Sequence, residues 1–169
     1  MPGLTVNNRP VTVAQGSTVL DAVNAVGDYI PQLCKDSAMS AIGACRTCLV
    51  QIDGERGFPA SCSLPASEGM NVSTNTDDVR QVRKGVLELT LGMLKGSTQG
   101  DDYKELTEAC SHHGIDQMRY QPRQRQSVDD SSPFFSIAME DCIMCGRCAK
   151  GCGPGHQFIG AIDILGSGQ

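Results

Sequence analysis

Residues 34–62 read CKDSAMSAIGACRTCLVQIDGERGFPASC and place cysteines at 34, 45, 48 and 62. Ten residues separate the first two, two separate the middle pair, and thirteen precede the last. The approach to the close pair is crowded with small residues: Ala38, Ser40, Ala41, Gly43 and Ala44. Residues of that size let backbone come close to something bulky held between thiols. The rest of the fold therefore has to frame a thiol-bearing loop.

Upstream, residues 4–6 and 11–13 are β-branched runs on either side of Asn7-Asn8-Arg9-Pro10, the pattern of a β-hairpin. Gln15-Gly16-Ser17-Thr18 closes the second strand, and Ser17 or Thr18 can cap a helix. That helix carries Val19, Leu20, Val23 and Val26 on one face, with Gly27 at the position after its C-cap. Downstream of the close cysteine pair, residues 49–52 read as a strand and Asp53-Gly54 as a turn. Residues 58–62 return, and residues 70–74 form a last strand. The order predicts a small mixed sheet with a helix across it.

From Asn75 the period changes. Asn75 or Thr76 can cap, Asp77 and Asp78 suit the positive end of a helix dipole, and Val79, Val82, Val86, Leu89 and Met93 recur at helical spacing. Leu87, Leu91 and Leu94 widen this stripe, which predicts a helix packed on the preceding domain or on a partner. A shorter helix is expected over residues 103–113, ending at Gly114 with His112 and His113 as cationic capping residues. Residues 117–132 are rich in Gln, Arg, Asp, Ser and Pro and read as a linker. Residues 158–165 read as a closing strand.

A second cysteine group, Cys142, Cys145, Cys148 and Cys152, follows the linker in a C-x2-C-x2-C-x3-C run. The chain has 169 residues, four Phe, three Tyr and no Trp, so any core is thin. Thin cores are commonly stapled by a disulfide, a metal or a partner surface. Nine cysteines is an odd number, and the N-terminus lacks the basic and apolar regions of a secretory signal. A reducing, cytoplasmic location is expected, where clustered cysteines bind metal or do redox work. No stretch reaches the roughly 18 apolar residues of a membrane span. A net charge of −5 and one short, interrupted basic segment at 119–125 argue against nucleic-acid binding. No Gly-x-Ser-x-Gly turn, dinucleotide fingerprint or phosphate loop is found.

Thiolates suit iron–sulfur clusters and zinc alike. Structural zinc sites usually show two close cysteine pairs, and the first quartet has one, which favours a [2Fe–2S] cluster on Cys34, Cys45, Cys48 and Cys62. In the second run three thiolates wrap a cubane, Gly146 permits the turn, and a [4Fe–4S] cluster is expected. Cys152 has three readings: fourth ligand of that cluster, ligand of a cluster shared with a partner chain, or free thiol. Cys110 is the other candidate fourth ligand, or a buried small apolar residue on its helix.

The quartet spacing, the hairpin-first order and the stretch Gly43-Ala44-Cys45-Arg46-Thr47-Cys48 resemble a particular ferredoxin-like domain. That domain opens the large iron–sulfur subunit of respiratory NADH dehydrogenase, NAD-linked formate dehydrogenases and several hydrogenases. The resemblance resumes at Asp129-Asp130-Ser131-Ser132-Pro133-Phe134 and continues through Cys142-Ile143-Met144-Cys145-Gly146-Arg147-Cys148. It implies an α+β fold: a [2Fe–2S] ferredoxin-like (β-grasp) domain over residues 1–76, a helical and linker region over 77–132, and a small [4Fe–4S] ferredoxin-like segment over 133–169.

Family members usually carry a His-x3-Cys-x2-Cys-x5-Cys site after the long helix. Here Gly92-Met93-Leu94-Lys95-Gly96-Ser97-Thr98-Gln99-Gly100 holds neither residue, so that cluster is expected to be absent. Family members commonly continue into a further cysteine run and then a molybdenum or hydrogen-activating domain, and neither is expected here. The resemblance thus implies a non-catalytic electron-transfer subunit of an oxidoreductase complex, in a hetero-oligomer. Its partners would be a flavin- or NAD(P)-binding redox subunit and a catalytic subunit of formate dehydrogenase or hydrogenase type. An iron–sulfur redox sensor or scaffold, whose output is partner binding, is the competing class. The apolar stripe over residues 87–94 and the Phe134/Phe135 pair are candidate docking surfaces.

Overall fold

The computed structural model describes residues 1–94, 103–117, 119–121 and 128–164. These fall into two compact units, one of Met1–Thr76 with Cys145–Gln169, the other of Asp77–Met144.

The first unit is built on a four-stranded mixed sheet. Strands β1 (Gly3–Val6) and β2 (Arg9–Thr12) form an antiparallel hairpin. Its two-residue turn needs positive φ at both central positions, and Asn7 (φ 48°) and Asn8 (φ 64°) supply it, since Asn tolerates the left-handed region. Helix α1 (Val19–Ala25) starts at Thr18, whose side chain accepts from the Asp21 amide while the Asp21 carboxylate accepts from the Thr18 amide. This reciprocal box satisfies two amide donors at the helix start. Gly27 follows the C-cap with φ 75°, as its place in the sequence demands.

Strands β3 (Gln51–Ile52) and β4 (Asn71–Ser73) complete the sheet in the order β2-β1-β4-β3. β4 runs parallel to β1 and antiparallel to β3. The expected return over 58–62 is an isolated Leu49–Ala60 bridge flanked by bonds from Val50 to the Pro59 carbonyl and from Ser61 to the Cys48 carbonyl. The buried core joins Leu4, Val6, Ile52 and Val72 of the sheet to Val19, Leu20 and Val23 of α1, and it includes Cys48 and Cys62. The cysteine loop is thus continuous with the apolar core.

The C-terminal part of this unit holds α4 (Arg147–Cys152), entered through Gly146 in the left-handed conformation. The strand expected beyond it does not form. Phe158 (φ 62°) and Gly160 (φ 66°) both break extension, and the Ile159 and Gly160 amides turn back onto the Cys152 carbonyl. Leu165 lies outside the described residues.

The second unit holds α2 (Asp77–Leu91), α3 (Lys104–His112) and a small antiparallel pair, β5 (Val128–Asp129) with β6 (Ile137–Ala138). The buried face of α2 differs from the one the apolar residues predict. Val79, Arg83, Leu87 and Leu91 line it, whereas Val82 and Leu89 are exposed. A buried arginine at the second of these positions hides the true stripe from a hydrophobicity count. Leu87, Leu91 and Leu94 are buried, so of the expected docking stripe over 87–94 Leu89 is the large apolar side chain left exposed; Phe134 and Phe135 are exposed as expected. The segment without His or Cys (92–100) and the linker (117–132) fall partly outside the described residues. Among the described residues no helix is long and apolar enough to cross a membrane.

Candidate iron–sulfur site

Three elements position the first quartet. Cys34 follows the buried residues Ile30 and Leu33, Cys45 and Cys48 lie on the loop leading into β3, and Cys62 sits behind the start of α1. The first-turn amides of α1 fix that last position. Val19 donates to the Leu64 carbonyl (2.8 Å) and Leu20 to the Ser61 carbonyl (3.0 Å). The tight bend of the close pair uses Gly43 (φ 71°) and Arg46 (φ 55°), both in the left-handed region. Arg46 has no intrinsic reason to adopt that conformation, so its surroundings hold it there.

The four thiols meet: Cys34 with Cys45 and with Cys62, and Cys48 with Cys62. Among the described residues no group of three or more His, Cys, Asp or Glu is gathered as the ligands of a single ion. Cys34, Cys48 and Cys62 are buried, and Cys45 is half-buried. Hydrogen bonds from the Cys45 and Cys62 thiols, then from the Cys45 and Ala44 amides, hold the Cys34 thiol down to about 2. Cys48 is lowered to about 6, chiefly by the Cys62 thiol, with the Cys62 amide also donating to its sulfur. Cys45 is pushed up by its bond to Cys34 and by burial, and Cys62 by its bonds to Cys34 and Cys48. Two thiols of the quartet are thus lowered and two raised, each lowered sulfur hydrogen-bonded to a raised neighbour.

Donors also converge on the sulfurs. The amides of Ala44 and Cys45 point at Cys34, that of Thr47 at Cys45, and that of Cys62 at Cys48. The Thr47 hydroxyl lies 3.1 Å from the Cys45 sulfur on a fully buried side chain. Thr47 was not singled out by its sequence position, although a β-branched hydroxyl between two thiols is the signal that could have found it. Thiol ligands ringed by amide and hydroxyl donors fit a [2Fe–2S] cluster, whose sulfurs and thiolates take such bonds.

The second group is arranged differently. Cys148 and Cys152 are four residues apart on α4 and so share one face, while Cys145 precedes the Gly146 turn. The Cys152 sulfur accepts from the Ala161 amide (3.1 Å). Cys142 belongs to the other unit, where its sulfur accepts from the Met144 amide at 3.4 Å.

Cys110 is buried on α3, and burial pushes its thiol up to about 11. Against an ordinary value of 9.0 this leaves about a hundredth of the thiolate at pH 8, so alkylation by iodoacetamide should run on the order of a hundredfold slower than for a free thiol. Peptide mass spectrometry of the folded protein checks this; reaction at the free-thiol rate would place Cys110 in a different environment. His113 does cap α3, its Nδ1–H donating to the Ala109 carbonyl at 2.9 Å. Burial holds its pKa below the ordinary value, with Arg83 and Arg80 adding to the effect. The cap contact is present, and burial disfavours the cationic form of the ring.

A mixed four-stranded sheet, one capped helix and a loop of four facing thiols define a ferredoxin-like domain. Residues 3–77 match the family described as "2Fe-2S iron-sulfur cluster binding domain". The chain is 33% identical over 150 residues to the mitochondrial NADH dehydrogenase [ubiquinone] iron-sulfur protein 1 of Solanum tuberosum, covering 86% of this chain and 20% of that protein. It is 29% identical over 175 residues to the NADPH-Fe(3+) oxidoreductase subunit alpha of Geobacter sulfurreducens, covering 100% of this chain and 20% of that one. A solved chain of an NAD+-reducing [NiFe]-hydrogenase in the H2-reduced state superposes with a TM-score of 0.85 at 30% identity, covering 99% of this chain and 71% of the other. The chain belongs to the family of redox-complex iron–sulfur subunits that these proteins represent. It spans a fifth of the length of the two oxidoreductase subunits.

Proposed function

We propose that the chain is an electron-transfer subunit, with a [2Fe–2S] cluster on Cys34, Cys45, Cys48 and Cys62 and a [4Fe–4S] cluster on Cys142, Cys145, Cys148 and Cys152. It would relay electrons between a flavin- or NAD(P)-linked partner and a catalytic subunit of formate dehydrogenase or hydrogenase type. The carrying observation is the ring of amide and hydroxyl donors aimed at four facing thiols, in a segment that matches a [2Fe–2S] domain. A bound cluster supplies a one-electron couple. The chain's own residues bind it, exclude water from it through Cys48, Cys62 and Thr47, and tune its potential through the donors to its sulfurs. For the second cluster the support is the run itself together with the Ala161 amide held on the Cys152 sulfur.

Anaerobic iron and sulfide determination with EPR tests the assignment. Two clusters correspond to about six irons and six sulfides per chain, with one [2Fe–2S] and one [4Fe–4S] signal on reduction. Cys152→Ser is expected to abolish the [4Fe–4S] signal and leave the [2Fe–2S] signal intact. An undiminished [4Fe–4S] signal would remove Cys152 as a ligand and turn attention to Cys110 or a partner chain. A colourless, iron-free preparation would end the iron–sulfur reading.

A further inference from the structure

Arg147 stands between Cys145 and Cys148 in the second cysteine run, yet its guanidinium reaches the first. Its Nη2 donates to the Lys35 carbonyl at 2.7 Å, and Lys35 directly follows Cys34. Two glycines of the same segment close on the same stretch of chain. A Cβ on Gly146 would lie 3.6 Å from Ile42 Cγ2, and one on Gly151 would lie 3.5 Å from Met39 Sδ. Lys35, Met39 and Ile42 all belong to the ten-residue spacer between Cys34 and Cys45. The contact is incompletely packed, since a cavity of about 390 Å³ lies between Ile42 and Ala44 on one side and Gly146, Ala149 and Ile164 on the other. Where packing is loose, one charge-assisted hydrogen bond carries more of the orientation.

We propose that this spacer is the platform on which the segment Cys145–Cys152 docks, and that Arg147 is the positioning residue that fixes this segment against the loop of the first quartet. The length of the spacer then has a use that the first site alone does not require. Its backbone supplies the acceptor for Arg147, and its side chains supply the surface for Gly146 and Gly151. A planar guanidinium held on a carbonyl fixes direction as well as distance, which a lysine ammonium does not. The structural part of the proposal stands on these contacts alone; its electronic consequence rests on the two-cluster reading above.

The test uses the full-length, cluster-loaded protein as wild type, R147K and R147M. Backbone hydrogen exchange over residues 35–44 is expected to rise about tenfold in R147M and less in R147K, with residues 1–25 unchanged. In the same samples the relaxation enhancement of the [2Fe–2S] EPR signal by the second cluster should fall several-fold in R147M and recover partly in R147K. Unchanged exchange over 35–44 in R147M overturns the platform, as does a rise spread evenly across the unit in R147K. Two irons per wild-type chain would instead fail the two-cluster reading, leaving the exchange data to decide the platform by itself.

Discussion

Cys48→Ser is expected to cost the first unit most of its stability as well as its [2Fe–2S] signal. The Cys48 side chain is 1% exposed and belongs to the same buried cluster as Val6, Leu20 and Val72. Its carbonyl accepts from the Ser61 amide (3.1 Å) and the Ser61 hydroxyl (2.7 Å), so it ties the close pair to the segment carrying Cys62. The sheet around it is slight, with two residues in β3 and three in β4. For such a frame, cluster binding energy is folding energy. Loss of a structural metal is among the few single changes that exceed about 4 kcal/mol. At roughly 4–8 °C per kcal/mol for a domain of this size, the melting temperature should fall by upwards of about 16 °C. Thermal melts followed by far-UV circular dichroism check this. An unchanged melt and spectrum would show that the hydrophobic core holds the frame without the cluster.

The second large effect comes from a residue that touches no sulfur by its chemistry. Leu20 is fully buried beneath the sheet, and its amide bonds to the Ser61 carbonyl next to Cys62. Leu20→Ala removes a core side chain at a cost of about 2–5 kcal/mol. About 3 kcal/mol corresponds to a fall of roughly 12–24 °C in melting temperature. Because α1 backs the Cys62 segment, loosening it should also speed iron release to a chelator, followed as bleaching of the visible absorption. A lowered melt with an unchanged bleaching rate would separate the helix from the task of holding Cys62.

What the sequence shows of this molecule depends on whether a feature is local. The hairpin, the Thr18 cap, Gly27 and the turn at Gly54 are each set by two to four neighbouring residues, and each is found as expected. The first quartet is marked by its spacing, and the structure brings its four thiols together. Three features escaped because they depend on distant partners or on a break in a simple pattern. The inward face of α2 passes through Arg83, a residue that hydrophobicity assigns to water. The apolar run from Phe158 onward has strand composition but folds back on Cys152, because two positive φ angles deny it extension. The contact of Arg147 with the Lys35 carbonyl joins positions 112 residues apart, and no local signal announces it.

The pairing of β1 with β4 sets an order of events. Thr5 lies opposite Asn71, so the first strand waits 71 − 5 = 66 residues for its parallel neighbour. All four cysteines of the first quartet lie within that interval. Long-range parallel pairings form late, after the entropy of closing the loop has been met. During synthesis the hairpin and α1 can form early, while the thiols remain on an open loop accessible to whatever machinery delivers iron and sulfide. Delivery before β4 seats would meet an open door; delivery afterwards would have to wait for the sheet to part.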